Sequence, residues 1–166
     1  YEGFEANEHV VYMHACPNQH LVPLLAHVVP RFGANGFLLG SNYIWGWETN
    51  RVARDLIADA GGKVLGERYR QGDSAPSIMP ASSFEAAAYA SVRTLAEILA
   101  RNPGAQWPDL PQAFAGTSFR TPLGDISIDP QTQHATLPVQ IGRIEGTAFK
   151  TVTLTKGVAP DPYLSR

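Results

Sequence analysis

Three aromatic residues lie within five positions in the stretch GSNYIWGWETN, residues 40 to 50: Tyr43, Trp45 and Trp47. Tyrosine combines a flat apolar face with one hydroxyl, which suits a small, planar, neutral group such as an amide or urea. A free amino acid would need fixed charges for its ammonium and carboxylate, and only Glu48 is near. The competing reading is that all three aromatics pack between a helix and a sheet. A second set is His14, Cys16 and His20, soft ligands close in sequence. Zinc pairs are generally spaced two or more residues apart with a second pair elsewhere, and His9, His27 and His134 supply none, so no metal site is expected. A Cys–His nucleophile would need an orienting partner that the sequence does not identify.

Other chemical signatures are missing. Gly33, Gly36 and Gly40 do not make G-x-G-x-x-G, and neither G-x-x-x-x-G-K-[ST] nor G-x-S-x-G occurs. No catalytic constellation or cofactor is expected, and a small α/β hydrolase is the weakest of the functional readings.

The elements that must position the aromatics follow from periodicity. Val10 to Met13 reads as a short strand. Leu21, Leu24, Leu25 and Val28 keep a 3.6-residue period over about 19–31, with Pro30 closing or kinking that helix. Phe37, Leu38 and Leu39 are consecutively apolar, as in a parallel strand covered on both faces. Val52, Ala53, Leu56, Ile57 and Ala60 predict a helix over about 49–60, stopped by Gly61 and Gly62. Lys63 to Tyr69 reads as a third strand. This β-α-β-α-β order predicts three mutually parallel strands and places Ser41 to Glu48 beyond the carboxyl end of the second, where open parallel sheets bind ligands. Tyr43 and Trp45 are then expected to line a cleft, with Trp47 packed inward.

The pattern breaks at Gln71 to Pro80, a stretch of linker composition. A long helix follows, with a capping box on Ser82 and Glu85 and a stripe of Phe84, Ala87, Ala88, Ser91, Val92, Leu95 and Leu99. A short helix is expected over Trp107 to Gly116, then antiparallel strands, the last two joined near Glu145-Gly146-Thr147. The organisation expected is 1–70 as one β-α-β-α-β segment, 71–82 as a linker or deletion junction, and 83–166 completing the same lobe.

Bulk properties narrow the class. The 166 residues are 44% hydrophobic and 17% charged, with net charge −2 and no basic run, which argues against a nucleic-acid surface. No apolar stretch approaches the roughly 20 residues of a membrane span. The lone cysteine forms no internal disulfide. Opening at Tyr1, without methionine or signal sequence, the sequence predicts a processed or trimmed chain.

YEGFE at the start, PNQ at 17 to 19, GSNYIWGWETN at 40 to 50 and PDPYL at 160 to 164 occur in an order that resembles the amide- and urea-binding branch of the type I periplasmic-binding-protein family. The closing TPLGDISIDPQTQHATLPVQIGRIEG is similar to that family's C-terminal hairpin region. The resemblance implies an α/β fold with three-layer lobes, a parallel sheet and antiparallel C-terminal strands, binding a short-chain amide or urea without enzymatic activity. By position, Tyr43 falls on the family tyrosine that contacts the amide, and Trp45 on a neighbouring aromatic, usually tyrosine, that lines the cleft. The family pattern is close to G-S/T-D-Y-x-Y, so Asn42 and Trp45 depart from it and alter the expected ligand size. The first role implied is a cytoplasmic sensor and negative regulator of an amidase operon, acting on an RNA-binding antiterminator protein. The alternative is a periplasmic receptor that delivers amide or urea to an ABC permease. Family members are two-lobed and more than twice this length, so an inert lobe fragment is a third reading. Homo-oligomer formation is left open.

Overall fold

The computed structural model describes residues 4–70 and 83–165. The expected junction at 71–82, including the cap on Ser82, lies outside the described residues, as do the first three residues of YEGFE. The described chain divides into two compact units, each discontinuous in sequence: residues 4–5, 16–70 and 162–165 in one, 6–15 and 83–161 in the other. The fold is mixed α/β.

The first unit holds helix α1 (Pro17–Phe32), strand β1 (Gly36–Ser41), helix α2 (Ile44–Asp59) and strand β2 (Val64–Arg70). Pro17 begins α1, where a missing N–H costs nothing, and the Cys16 N–H donates to Gln19 Oε1 at 3.0 Å. Pro30 does not close the helix. The helix runs two residues further, the Gly33 N–H still reaching Val29 O at 2.9 Å, and the chain then leaves through Gly33 at φ 88°. β1 and β2 pair in parallel. Leu21, Val52 and Ala53 form the buried core, with Leu25, Leu38 and Leu56 packed against them. At Gly62 a Cβ would sit 2.1 Å from Ala34 O, so only glycine allows the turn between α2 and β2 to pass that backbone.

The strand expected at 10–13 does not join this sheet, which among the described residues has two strands, β1 and β2. Tyr12 instead makes one parallel bridge to His134 in the second unit, and its ring stacks on that imidazole with centroids 4.1 Å apart. Met13 is buried in the second unit's core. With only one side chain of the run fully buried, the segment packs as an isolated bridge rather than as a ladder.

The second unit holds helix α3 (Ser83–Arg101), a 3-10 turn over Trp107–Asp109, helix α4 (Leu110–Phe114), and strands β3 (Ser118–Thr121), β4 (Gly124–Ile128), β5 (Ala135–Glu145) and β6 (Ala148–Val158). The strands form one antiparallel sheet in chain order. The buried stripe of α3 is Ala87, Ala90, Thr94 and Ile98. Phe84, Val92 and Leu99, expected to face inward, are exposed. The helix is thus rotated about one residue from the expected face, putting small Ala90 and Thr94 inward and allowing close packing. Ile98, Leu110, Phe114, Phe119, Ile126 and Ile128 dominate this core. The β5–β6 hairpin closes at the expected place, with Glu145 paired to Ala148 and Gly146 at φ 63°.

Strand β4 pairs with β5 at Ser127–Thr136 and Ile128–Ala135. Beyond Leu137 the hairpin is therefore a two-stranded ribbon. The Phe149 ring lies over Gly142, where a Cβ would come within 1.9 Å of it.

Candidate functional site

β1 ends at Ser41, and the Asn42 N–H donates to Arg70 O at 2.8 Å, which keeps the two strand ends together. Tyr43, in extended conformation at φ −156°, is the N-cap of α2. The helix starts at Ile44, five residues before the expected start at 49. Gly46 is the cause: it is buried, and a Cβ there would lie 2.4 Å from Ser41 O. Without a side chain at 46, the first turn of the helix can press against the end of the strand. The aromatics expected in a loop therefore stand on the first turn of a helix.

Tyr43 is 60% exposed, and among the described residues its hydroxyl has no hydrogen-bond partner. Trp45 is partly buried, its ring 5.9 Å from the His20 imidazole of α1 at an interplanar angle of 34°. Trp47 does not pack inward. It is 46% exposed, and its indole N–H donates to Asn42 Oδ1 at 3.2 Å. Asn42 thus serves as a brace for Trp47, and the turn is held by its own side chains. Glu48, the one charged residue in the stretch, is paired with Arg51 at 2.8 Å.

Beneath the turn lies a polar group that pattern reading did not single out. Asn50 is buried on α2 against Gly40, one turn after Gly46. The signal available was the spacing: positions 46 and 50 share the helix face toward β1. Beside it, Arg54 Nη1 donates to both Glu67 carboxylate oxygens at 2.8 Å, and the Tyr69 hydroxyl donates to Glu67 Oε1. The Tyr69 hydrogen bond, followed by the bond from Arg54, holds the Glu67 carboxyl below its ordinary value of 4.5. Unfolding at low pH therefore takes up a proton at this site. Its contribution is full above about 4.5 and is lost as pH falls through the lowered folded value. Glu67→Gln is expected to lower the thermal midpoint at pH 7, and the gap from wild type should narrow as pH falls below 4.5. A gap that is constant across that range would show that Glu67 is not held as described.

The other candidates do not converge. His14 belongs to the second unit, stacked on Phe84 with centroids 4.5 Å apart and Nε2 3.4 Å from Ser83 Oγ. Burial lowers its pKa. Cys16 is buried at the start of α1 in the first unit, and His20 adjoins Trp45. Among the described residues no group of three His, Cys, Asp or Glu side chains could hold a metal ion. His134, a buried residue that the sequence reading named only as supplying no zinc pair, has its pKa lowered by burial as well, with Nδ1 2.7 Å from Thr132 O. No helix among the described residues is long and apolar enough to cross a membrane.

The model of the periplasmic binding protein domain matches the chain in two pieces, residues 1–75 and 74–166. Among solved structures, the chain is similar to a solute-binding protein of an ABC transporter from Rhodopseudomonas palustris BisB5, crystallised with 3,4-dihydroxybenzoic acid. That match has a TM-score of 0.70 at 12% identity, covering 90% of this chain and 68% of the other. A counterpart from Rhodopseudomonas palustris HaA2, in complex with p-hydroxybenzoic acid, gives 0.69 at 14% identity, covering 90% and 67%. The leucine-, isoleucine-, valine-, threonine- and alanine-binding protein of Brucella ovis, in its closed conformation, gives 0.65 at 13%, covering 94% and 67%. The chain spans about two thirds of the length of these structures.

Proposed function

The chain belongs to the periplasmic binding protein domain family, and from that membership we propose that it is the solute-binding component of an ABC transporter, capturing a small neutral planar solute in the periplasm and presenting it to a permease. The observation that supports this reading is the exposed Tyr43 with its uncommitted hydroxyl at the carboxyl end of β1, next to Trp45. The solute class we favour is a short-chain amide or urea. The turn offers aromatic faces and hydrogen-bonding edges, and its one nearby carboxylate is already paired with Arg51. The ABC-transporter receptors among the structural neighbours favour a receptor over a cytoplasmic regulator of an amidase operon acting on an antiterminator. The regulator rests on the order of sequence motifs alone.

Titration calorimetry of the chain with acetamide, butyramide, urea, 4-hydroxybenzoate and leucine tests the proposal. Saturable binding of an amide or urea, with weaker response to the two charged solutes, is the expected result. Preference for 4-hydroxybenzoate would replace the solute class while keeping the receptor role. Binding of none of the five would favour an inert fragment.

A further inference from the structure

We propose that His134 is an acid-operated latch, which fastens residues 8–13 to the second unit while its ring is neutral and releases them when the ring takes a proton. Residues 6–15 belong to the second unit, although the chain before and after them belongs to the first. They are held at the connection between β4 and β5. The Tyr12 N–H donates to Gln133 O at 2.9 Å, and the Ala135 N–H donates to Tyr12 O at 2.8 Å. Gln133 Nε2 donates to Glu8 O at 2.8 Å. Among these bonds the Tyr12 ring lies on the His134 imidazole, with centroids 4.1 Å apart and planes 11° from parallel. The imidazole is 0% exposed, and Tyr12 covers one of its faces. Undocking the segment therefore wets the ring.

The bonds of the ring decide where the proton goes. Thr132 O, 2.7 Å from Nδ1, can only accept, so Nδ1 carries the hydrogen of the neutral ring and Nε2 takes the second. That second proton makes a cation at a site without solvent exposure, which desolvation disfavours. Asp129, at the start of the same turn, acts in the opposite sense. Its Oδ1 is shared with its own loop, accepting from the N–H groups of Gln131 and Thr132 and from the Thr132 hydroxyl. Burial outweighs the bond to Thr132 and the charge of Asp129, and the pKa lies below 6.5. From the docked segment the Tyr12 phenol faces the ring. Glu8 and His9 are exposed and 3.5 Å apart, and His14, whose pKa burial also lowers, stands on Phe84. Undocking returns His134 to water and toward 6.5, so it takes up a proton. Docking is favoured in full above 6.5, and that share is lost as pH falls through the lowered value.

Amide hydrogen exchange read by NMR on the whole chain, from about pH 7.5 to about pH 5, tests the latch. The Tyr12 and Ala135 amides make the docking bonds. Their protection factors should fall below pH 6.5 by up to roughly tenfold per pH unit, the limit for one proton. Amides of the β3–β4 ladder in the same unit should keep theirs, which separates release of the segment from unfolding of the unit. In His134→Gln, which cannot titrate, protection of Tyr12 and Ala135 should no longer depend on pH. Should that variant fail to fold, the wild-type ring decides: its Cε1–H shift should titrate below 6.5. A ring that titrates at 6.5 or above would overturn the proposal. So would Tyr12 and Ala135 protection that is constant over the range, β3–β4 amides that fall in parallel, or a pH dependence that persists in folded His134→Gln.

Discussion

Tyr43→Ala is expected to weaken solute binding by about 1–3 kcal/mol, the joint worth of one neutral hydrogen bond and one aromatic contact. That is roughly fivefold to more than a hundredfold in Kd. Tyr43→Phe, which keeps the ring, should lose about 0.5–1.5 kcal/mol. The side chain is 60% exposed and caps α2 through its backbone, so neither change should unfold the protein. The ordering of the two variants carries the argument, because a hydroxyl and a ring face are removed in turn. Calorimetry on both, after circular dichroism, gives the answer. Equal binding by folded Tyr43→Ala and wild type would remove Tyr43 from the site and leave it as a surface residue.

The largest stability effect is expected at Ile98. This side chain is 1% exposed at the last buried position of α3, in the core with Leu110, Phe114 and Ile126. Ile98→Ala removes buried methylene groups and leaves a cavity, at a cost of about 2–5 kcal/mol. Hydrogen exchange read by peptide should show where the cost falls. Amides of α3 and β3 to β5 should exchange faster, while those of α1, β1, α2 and β2, whose core is built on Leu21, Val52 and Ala53, should keep their protection. Equal acceleration in both sets would show that the two compact units unfold as one.

Pattern reading found the elements more reliably than their partners. The runs at 36–41 and 63–69 emerged as parallel strands because a helical period lies between them in β-α-β order, and the closing hairpin because Gly146 marks its turn. The run at 10–13 looks the same locally, yet Tyr12 bridges to His134. Nothing within four residues says which distant segment will supply a partner. The α3 face was misjudged because Phe84, Val92 and Leu99 outrank Ala90 and Thr94 in hydrophobicity, whereas close approach rewards the smaller pair. At the site, residue types drew attention to Tyr43 and Trp45, but not to Gly46, whose role is set by the position of the Ser41 carbonyl. Asn50 was missed for the same reason: an asparagine on a helix looks solvent-facing until the strand beneath it is placed.

The bond from the Phe4 N–H to Pro162 O, 2.8 Å long, closes the first unit across nearly the whole chain. Its closure carries a large entropic penalty, about 4–5 kcal/mol for a flexible loop of that span. On a ribosome, Phe4 is made 158 residues before Pro162, so this contact has to wait until that whole span has been synthesised. Phe4 and Leu164, which pack against the Leu21 core, wait with it. The nascent first unit therefore exposes that side of its core until Pro162 has been made, the interval in which a holding chaperone would have most to cover.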